Sequence, residues 1–291
     1  MRLASVVFAL SLPTIMLGQQ GFQLPAGCEL PFKTIATTPD PAVHCGNSGC
    51  APNDDKKFEN LAKNNLCKNS ETPTDLKDFS VFKTLQAVPD VYQKATGNRE
   101  QLRSLKPLGE GSMVRVAAFI KEAHISDCDK QNPKTGEDVN CNVRGFALND
   151  IHILLVQSPQ DDPCASVTAE MSPHFRPDAW SQIDAKTPTK NLVRFTAPLF
   201  FDNSHHPCAK NHAGKLTGSP PRVSVWELHP VHIIEVCATT KGTDCAVDKD
   251  TGWVAYDQWV TRPGVKTTDT GRTARDRCGT GEGTSAPCAT Q

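Results

Sequence analysis

The sequence predicts a mainly β protein: an OB-like five-stranded barrel with one short helix, a small disulfide-stapled N-terminal region and an irregular C-terminal tail. Three observations carry that expectation. Between residues 109 and 237, segments rich in Val, Ile, Phe and Thr alternate with turn residues in the order β-β-β-α-β-β, which is the element order of an OB barrel. The chain has twelve cysteines in 291 residues, four of them before residue 68. After residue 238, Gly, Thr, Ser and Asp dominate. A small β-sandwich is the competing architecture.

The elements can be justified in order. "SMVRVAAFIKEAHI", opened by Gly109 and Gly111, is the first barrel strand. "VRGFALNDIHILLVQ" and "SVTAEMS" are the second and third, joined by the polar loop "SPQDDPCA". "PDAWSQIDAK" is a short helix begun by Pro177, a residue suited to a first helical turn. "NLVRFTAPLFFD" and "RVSVWELHPVHIIEVC" supply the fourth and fifth strands.

The flanks divide around this core. Residues 1–20 form an expected export signal: a positive start at Met1-Arg2, an apolar run, then Gln19 and Gln20. Residues 21–108 form the cysteine-containing N-terminal region and linker. There "NDDKKFENLAKNNL" and "DLKDFSVFKTLQAV" are helical candidates, the second with Leu76, Phe79, Phe82 and Leu85 every third residue. Residues 109–237 are the barrel and 238–291 the tail, in which only "GWVAYDQWV" can anchor anything.

An even cysteine count behind an export signal implies disulfides in an oxidising compartment, secreted or periplasmic. Local spacing suggests Cys128 with Cys141, Cys237 with Cys245 and Cys278 with Cys288. Lysine plus arginine number 31 against 32 acids, for a net charge of −1, so no general attraction to phosphate polymers follows. Phe119, Phe146, Phe195 and Trp226, with Arg115, Arg144, Arg194 and Arg222, could line a nucleic-acid groove, but residues of these types on strands more often mean core and rim. No apolar run of ~18 residues follows the signal, so no transmembrane segment is expected in the mature chain.

The chemistry-bearing pattern lies in "LNDIHILLV". Side chains alternate faces along a strand, so Asp150, His152 and Leu154 share one face. If Val156 pairs with Ser166 across the next hairpin, His152 faces Glu170. The third barrel strand also neighbours the fifth, which would bring in Glu227 and His229 of "WELHP". A polar belt of Asp150, His152, Glu170, Glu227 and His229 is therefore expected across three strands. A His–Glu pair can simply satisfy buried polar groups. Imidazoles and carboxylates can also hold a divalent transition metal, with His152, Glu170, His229 and the loop residues His205 and His206 as candidates. Alternatively, Glu170 or His152 could serve as a general acid or base. Ser204, His205 and Asp202 have the residue types of a hydrolytic triad, but G-x-S-x-G, HExxH and a phosphate-cradling glycine loop are all missing.

The strands "LNDIHILLV", "VTAEMSP" and "WELHPVHIIEV", with "HCGNSGC" and "AKNNLC" upstream, resemble segments of uncharacterised secreted bacterial proteins. Those proteins carry a D-x-H-L-V-L strand, an A-E-x-P strand and an E-L-H-P-V strand. The resemblance spans most of residues 44–236. It implies a secreted OB-like protein and carries over no activity and no catalytic residue. The functional expectation is a non-enzymatic ligand-binding or structural module without an obligate cofactor. Its partner would be a small molecule, a glycan or an envelope component, and nucleic acid is disfavoured. The alternative is a metal-assisted hydrolase using the His/Glu belt.

Overall fold

The computed structural model describes residues 35–36, 44–64, 72–87, 105, 108–125, 137–142, 149–183, 188, 190–202, 204–239 and 244–265. Its elements are β1 (Ile35–Ala36), β2 (His44–Cys45), α1 (Asp54–Lys63), β3 (Thr74–Leu76), α2 (Ser80–Ala87), β4 (Met113–Ile125), β5 (Ile151–Val156) and β6 (Val167–Met171). These are followed by β7 (Leu192–Phe201), β8 (Ala209–Lys210), β9 (Leu216–Thr217), β10 (Trp226–Leu228), β11 (Ile233–Cys237), β12 (Trp253–Ala255) and α3 (Tyr256–Trp259). The expected export signal, the 278–288 pair and Cys128 lie outside the described residues.

Five strands close on themselves. β4 pairs with β5, β5 with β6, β6 with β10, β10 with β7, and β7 returns to β4. Every pairing is antiparallel except β6 with β10. This is the OB-like barrel that the element order predicts. Its circuit closes because β4, with 13 residues, serves two neighbours. Residues 113–119 of β4 pair with β7 and 119–125 with β5, and the register shifts between Ile120 and Glu122. Such a bulge bends and twists a strand, which is what turning a barrel corner requires.

The apolar face of each strand points inward. Val114, Val116, Ala118, Ile151, Ile153, Leu155, Val167, Ala169, Met171, Val193, Phe195, Phe201, Trp226 and Leu228 form one buried core. Each large side chain buried there contributes roughly 1.5–3 kcal/mol of transfer free energy. Phe79 and Phe82 of the α2 region join the same core, with ring centroids 5.8 Å apart in a T-shaped contact. β3 and β12 extend the sheet beyond the circuit, on β4 and β11 respectively. Arg115 clamps Asp75 of β3 through Nε at 2.6 Å and Nη2 at 3.1 Å.

Two expectations need correction and a third is refined. Leu76 sits in β3 rather than in a helix, and the helix begins at Ser80, where Asp78 accepts a hydrogen bond from the Ser80 amide. The helix at Asp178–Gln182 is 3₁₀. "WELHPVHIIEV" is two strands rather than one, because Pro230 has no amide hydrogen for the ladder. The chain on either side of it still bonds both neighbours, from the His229 amide to Pro198 O and from the Val231 amide to Glu170 O.

The cysteine pairing also differs. Cys237 bonds Cys245, but Cys141 bonds Cys45 rather than Cys128, and Cys164 bonds Cys208. The Cys45–Cys141 bond pins residues 44–64 to the outside of the barrel as a cap. Within the cap, Asn53 caps α1 by accepting from the Lys56 amide at 2.9 Å. The Cys50 amide donates to Asp138 O at 2.8 Å. Gly49 makes the close approach, with φ of +57°, and a Cβ built on it would lie 2.2 Å from Asp138 O. Gly49→Ala is expected to lower the unfolding free energy by about 2 kcal/mol or more, since it adds left-handed strain to a backbone clash. Urea unfolding monitored by tryptophan fluorescence checks this.

Candidate functional site

The site lies on the outer wall of the barrel, beneath the cap. On β5 the inward residues are Ile151, Ile153 and Leu155, so His152 and Leu154 face outward, and Asp150 just precedes the strand. The β5–β6 register sets His152 opposite Glu170 and Leu154 opposite Thr168. The parallel pairing of Leu228 with Ala169 lays Glu227 and His229 beside Glu170. The structure thus brings the five belt residues onto one wall, and they are all buried.

The belt has two foci. In the first, His229 Nε2 lies 3.1 Å from Glu170 Oε2 and 3.6 Å from Asp150 Oδ2. His152 Nε2 lies 3.3 Å from Glu170 Oε1 and 3.4 Å from Glu137 Oε1. Asn140 Nδ2 donates to Asp150 Oδ1 at 3.1 Å. Lys63, in the last turn of α1, reaches down to place Nζ 3.6 Å from Glu170 Oε2 and 5.8 Å from the centroid of the Phe200 ring. In the second focus, Arg222 Nη1 lies 2.6 Å from Glu227 Oε1 and 3.0 Å from Asp202 Oδ2. Asp202 also bonds His205 Nδ1 at 2.7 Å.

Burial and mutual charge set the protonation pattern. Burial, with Glu137 and Glu170 nearby, pushes the Asp150 carboxyl well above its ordinary range. Burial would raise Glu170 too, but His152, Lys63 and His229 outweigh it and hold Glu170 low. Burial would lower His152, yet the facing Glu170 and Glu137 raise it to about 10. His229 falls to about 4, because burial and the charge on Lys63 outweigh the pull of Glu170. Burial and Glu170 drive Glu227 well up against the pull of Arg222. The direction of the shift thus alternates from one group to the next, as expected when desolvation and pairing compete.

Asp202 takes the opposite course. Burial alone would raise it, but the hydrogen bond from His205 and the charges of Arg222 and Lys63 hold it far below an ordinary aspartate. A carboxylate depressed in the folded state stabilises the fold above its unfolded pKa near 3.9. That contribution fades as pH falls toward the folded pKa. Stability is therefore expected to drop below about pH 4, and Asp202→Asn is expected to flatten that drop while lowering stability at pH 7. Urea midpoints measured from pH 2 to 7 for both proteins test this.

Sequence reasoning missed Lys63, Glu137, Asn140 and Arg222 as members of the site. Lys63 could be read only as a favourable cation at a helix end. Arg222 looked like a rim residue and is fully buried. Of the residues considered for a metal, Glu170 and His229 converge with Asp150, their ligand atoms within 4.8 Å of one another. His152 stands behind Glu170. His205 is turned to Asp202, and His206 is exposed. Ser204 Oγ donates to Glu59 Oε1 at 3.2 Å, away from the Asp202–His205 pair, so no triad is aligned. Phe195 and Trp226 are core residues inside the barrel.

Acid–base or metal chemistry needs a route for substrate. Asp150, Glu170 and His229 are each about 1% exposed and Glu227 is 0% exposed. The cap closes over them, and Lys56 and Glu59 of α1 reach Ser204 in the loop beyond β7. Among the described residues, no helix is long and apolar enough to cross a membrane. No protein-family model, curated protein sequence or solved structure matches the chain.

Proposed function

We propose that the chain is an exported, disulfide-stapled OB-like module that acts by binding or by scaffolding rather than by catalysis. One observation carries this reading: the polar belt is sealed under the chain's own cap, with Glu170 and His229 about 1% exposed. An enzyme built on these groups would need them in an open cleft. OB barrels commonly receive ligands on the face of their second and third strands. Here β5 and β6 hold those positions, and α1 with the 137–142 segment occupies the face. A ligand surface then lies elsewhere, for a small molecule, glycan or envelope component. The paired cysteines and the resemblance to uncharacterised secreted bacterial proteins support an exported, oxidising setting.

The convergence of Asp150, Glu170 and His229 favours a second reading, a metal-assisted hydrolase. The test compares the two directly. The full chain, loaded with zinc, is assayed against chromogenic esters, phosphate esters and amides, and separately for co-sedimentation with peptidoglycan and binding to a glycan array. Retention of at least one carbohydrate or envelope ligand without turnover supports the module. Turnover abolished by His229→Asn overturns it.

A further inference from the structure

We propose that Asp150, Glu170 and His229 form a buried structural site for one divalent transition-metal ion of the zinc class. Three independent features of the geometry argue for it. The first is the spacing. Ligand atoms about 2.0–2.2 Å from a tetrahedral zinc ion are separated by roughly 3.3–3.6 Å, and these residues would supply three of its four corners, the fourth falling to water. The observed 3.1 Å from His229 Nε2 to Glu170 Oε2 and 3.6 Å to Asp150 Oδ2 lie close to that edge, and all three ligand atoms lie within 4.8 Å of one another.

The second is the state of the atoms themselves. Asp150 Oδ2, Glu170 Oε2 and His229 Nε2 are all buried, and none makes a hydrogen bond among the described residues. Buried polar atoms are ordinarily satisfied, because leaving one bare costs about 1–3 kcal/mol. Here three such atoms, from three neighbouring segments of the barrel wall, face one another with only ion-pair contacts among themselves and to Lys63 Nζ. A shared cation satisfies all three at once.

The third is the support behind them. The other oxygen of Asp150 is held by Asn140 Nδ2 at 3.1 Å, and the other oxygen of Glu170 faces His152 Nε2 at 3.3 Å. Each carboxylate is thus oriented from behind by one oxygen and presents the other inward, the arrangement by which outer residues aim metal ligands. Imidazole with two carboxylates suits zinc or manganese better than soft thiophilic ions. Lys63 Nζ, 3.6 Å from Glu170 Oε2, contends for the same oxygen and sets the affinity the ion must exceed. With the cap closed, the ion holds β5, β6 and the end of β10 together. This inference stands whether the module binds a ligand or only scaffolds.

The experiment uses the full chain, exported and purified without chelator. Elemental analysis is expected to find close to one zinc or manganese ion per chain. Protein stripped with dipicolinate is expected to gain roughly 5–10 °C in Tm on saturation with zinc. Cobalt substitution is expected to give visible d–d absorption. Asp150→Asn and His229→Asn are expected to weaken zinc binding at least tenfold, and Lys63→Met to tighten it. The inference is overturned if the stripped wild-type chain shows neither a Tm rise with zinc or manganese nor a cobalt band. Unchanged zinc affinity in a folded Asp150→Asn chain also overturns it. The wild-type readouts decide the matter even if a variant fails to fold.

Discussion

Replacing Arg222 with methionine is expected to lower the unfolding free energy by about 3–5 kcal/mol at pH 7, among the largest effects of any single change in this chain. Arg222 is 0% exposed, and one of its nitrogens, Nη1, contacts both Glu227 at 2.6 Å and Asp202 at 3.0 Å. Methionine fills much of the same volume, so the loss is not mainly that of a cavity. It comes from leaving Asp202 and Glu227 without their nearest counter-charge in a water-poor wall. The ion pairs themselves contribute less than this figure suggests, because Nε and Nη2 of Arg222 make no hydrogen bond among the described residues. The triple variant Arg222→Met, Asp202→Asn, Glu227→Leu is therefore expected to recover much of the loss, since the charges then leave together. Urea unfolding of both proteins gives the answer. A loss below 1 kcal/mol in the single variant would mean that water reaches the pair.

Removal of the Cys45–Cys141 bond by double substitution to serine is expected to have a similarly large effect. The bond closes a separation of 96 residues, for which chain-entropy arguments give about 4.7 kcal/mol. The Cys237–Cys245 bond spans only 8 residues, and the same reasoning assigns it about 2.5 kcal/mol. Serine at 45 and 141 should thus lower Tm more than serine at 237 and 245. The two losses should also differ in kind. Without the first bond the cap loses its covalent hold on the 137–142 segment, so amide exchange should rise in β5 and β6 as well as globally. The second pair braces β11 against the loop before β12, and its loss should leave exchange over the belt unchanged. Equal Tm losses, or an unaltered exchange pattern in β5 and β6, would show that packing or the further disulfide at Cys50 holds the cap.

What could be read from the sequence depended on range. The facing of His152 and Glu170 was legible because the intervening loop is short and strand alternation fixes the rest. The barrel circuit was legible because strand order alone restricts it. The cap was not. Cys45 and Cys141 are separated by most of the first half of the chain, and nothing local distinguishes Cys128 from Cys45 as the partner of Cys141. Lys63 reaches the belt from that cap and Glu137 from the segment the cap is bonded to, so their membership was hidden for the same reason. Leu76 fitted a helical spacing of three yet pairs in parallel with Val116, because β4 offers that segment a strand edge to bond. Arg222 was misplaced because an arginine in an expected strand reads as rim until Asp202 and Glu227 are seen to surround it.

The position of β10 has a consequence for biosynthesis. It is wedged between β6 and β7, although both are made well before it. Until residue 228 has emerged, those two strands present bare amide edges across an open seam, and His229 is absent from the wall it completes. A polypeptide halted before Trp226 would therefore leave two adhesive edges for proteases and neighbouring chains to find. The chain can become a closed cylinder only late, after most of its length has left the ribosome.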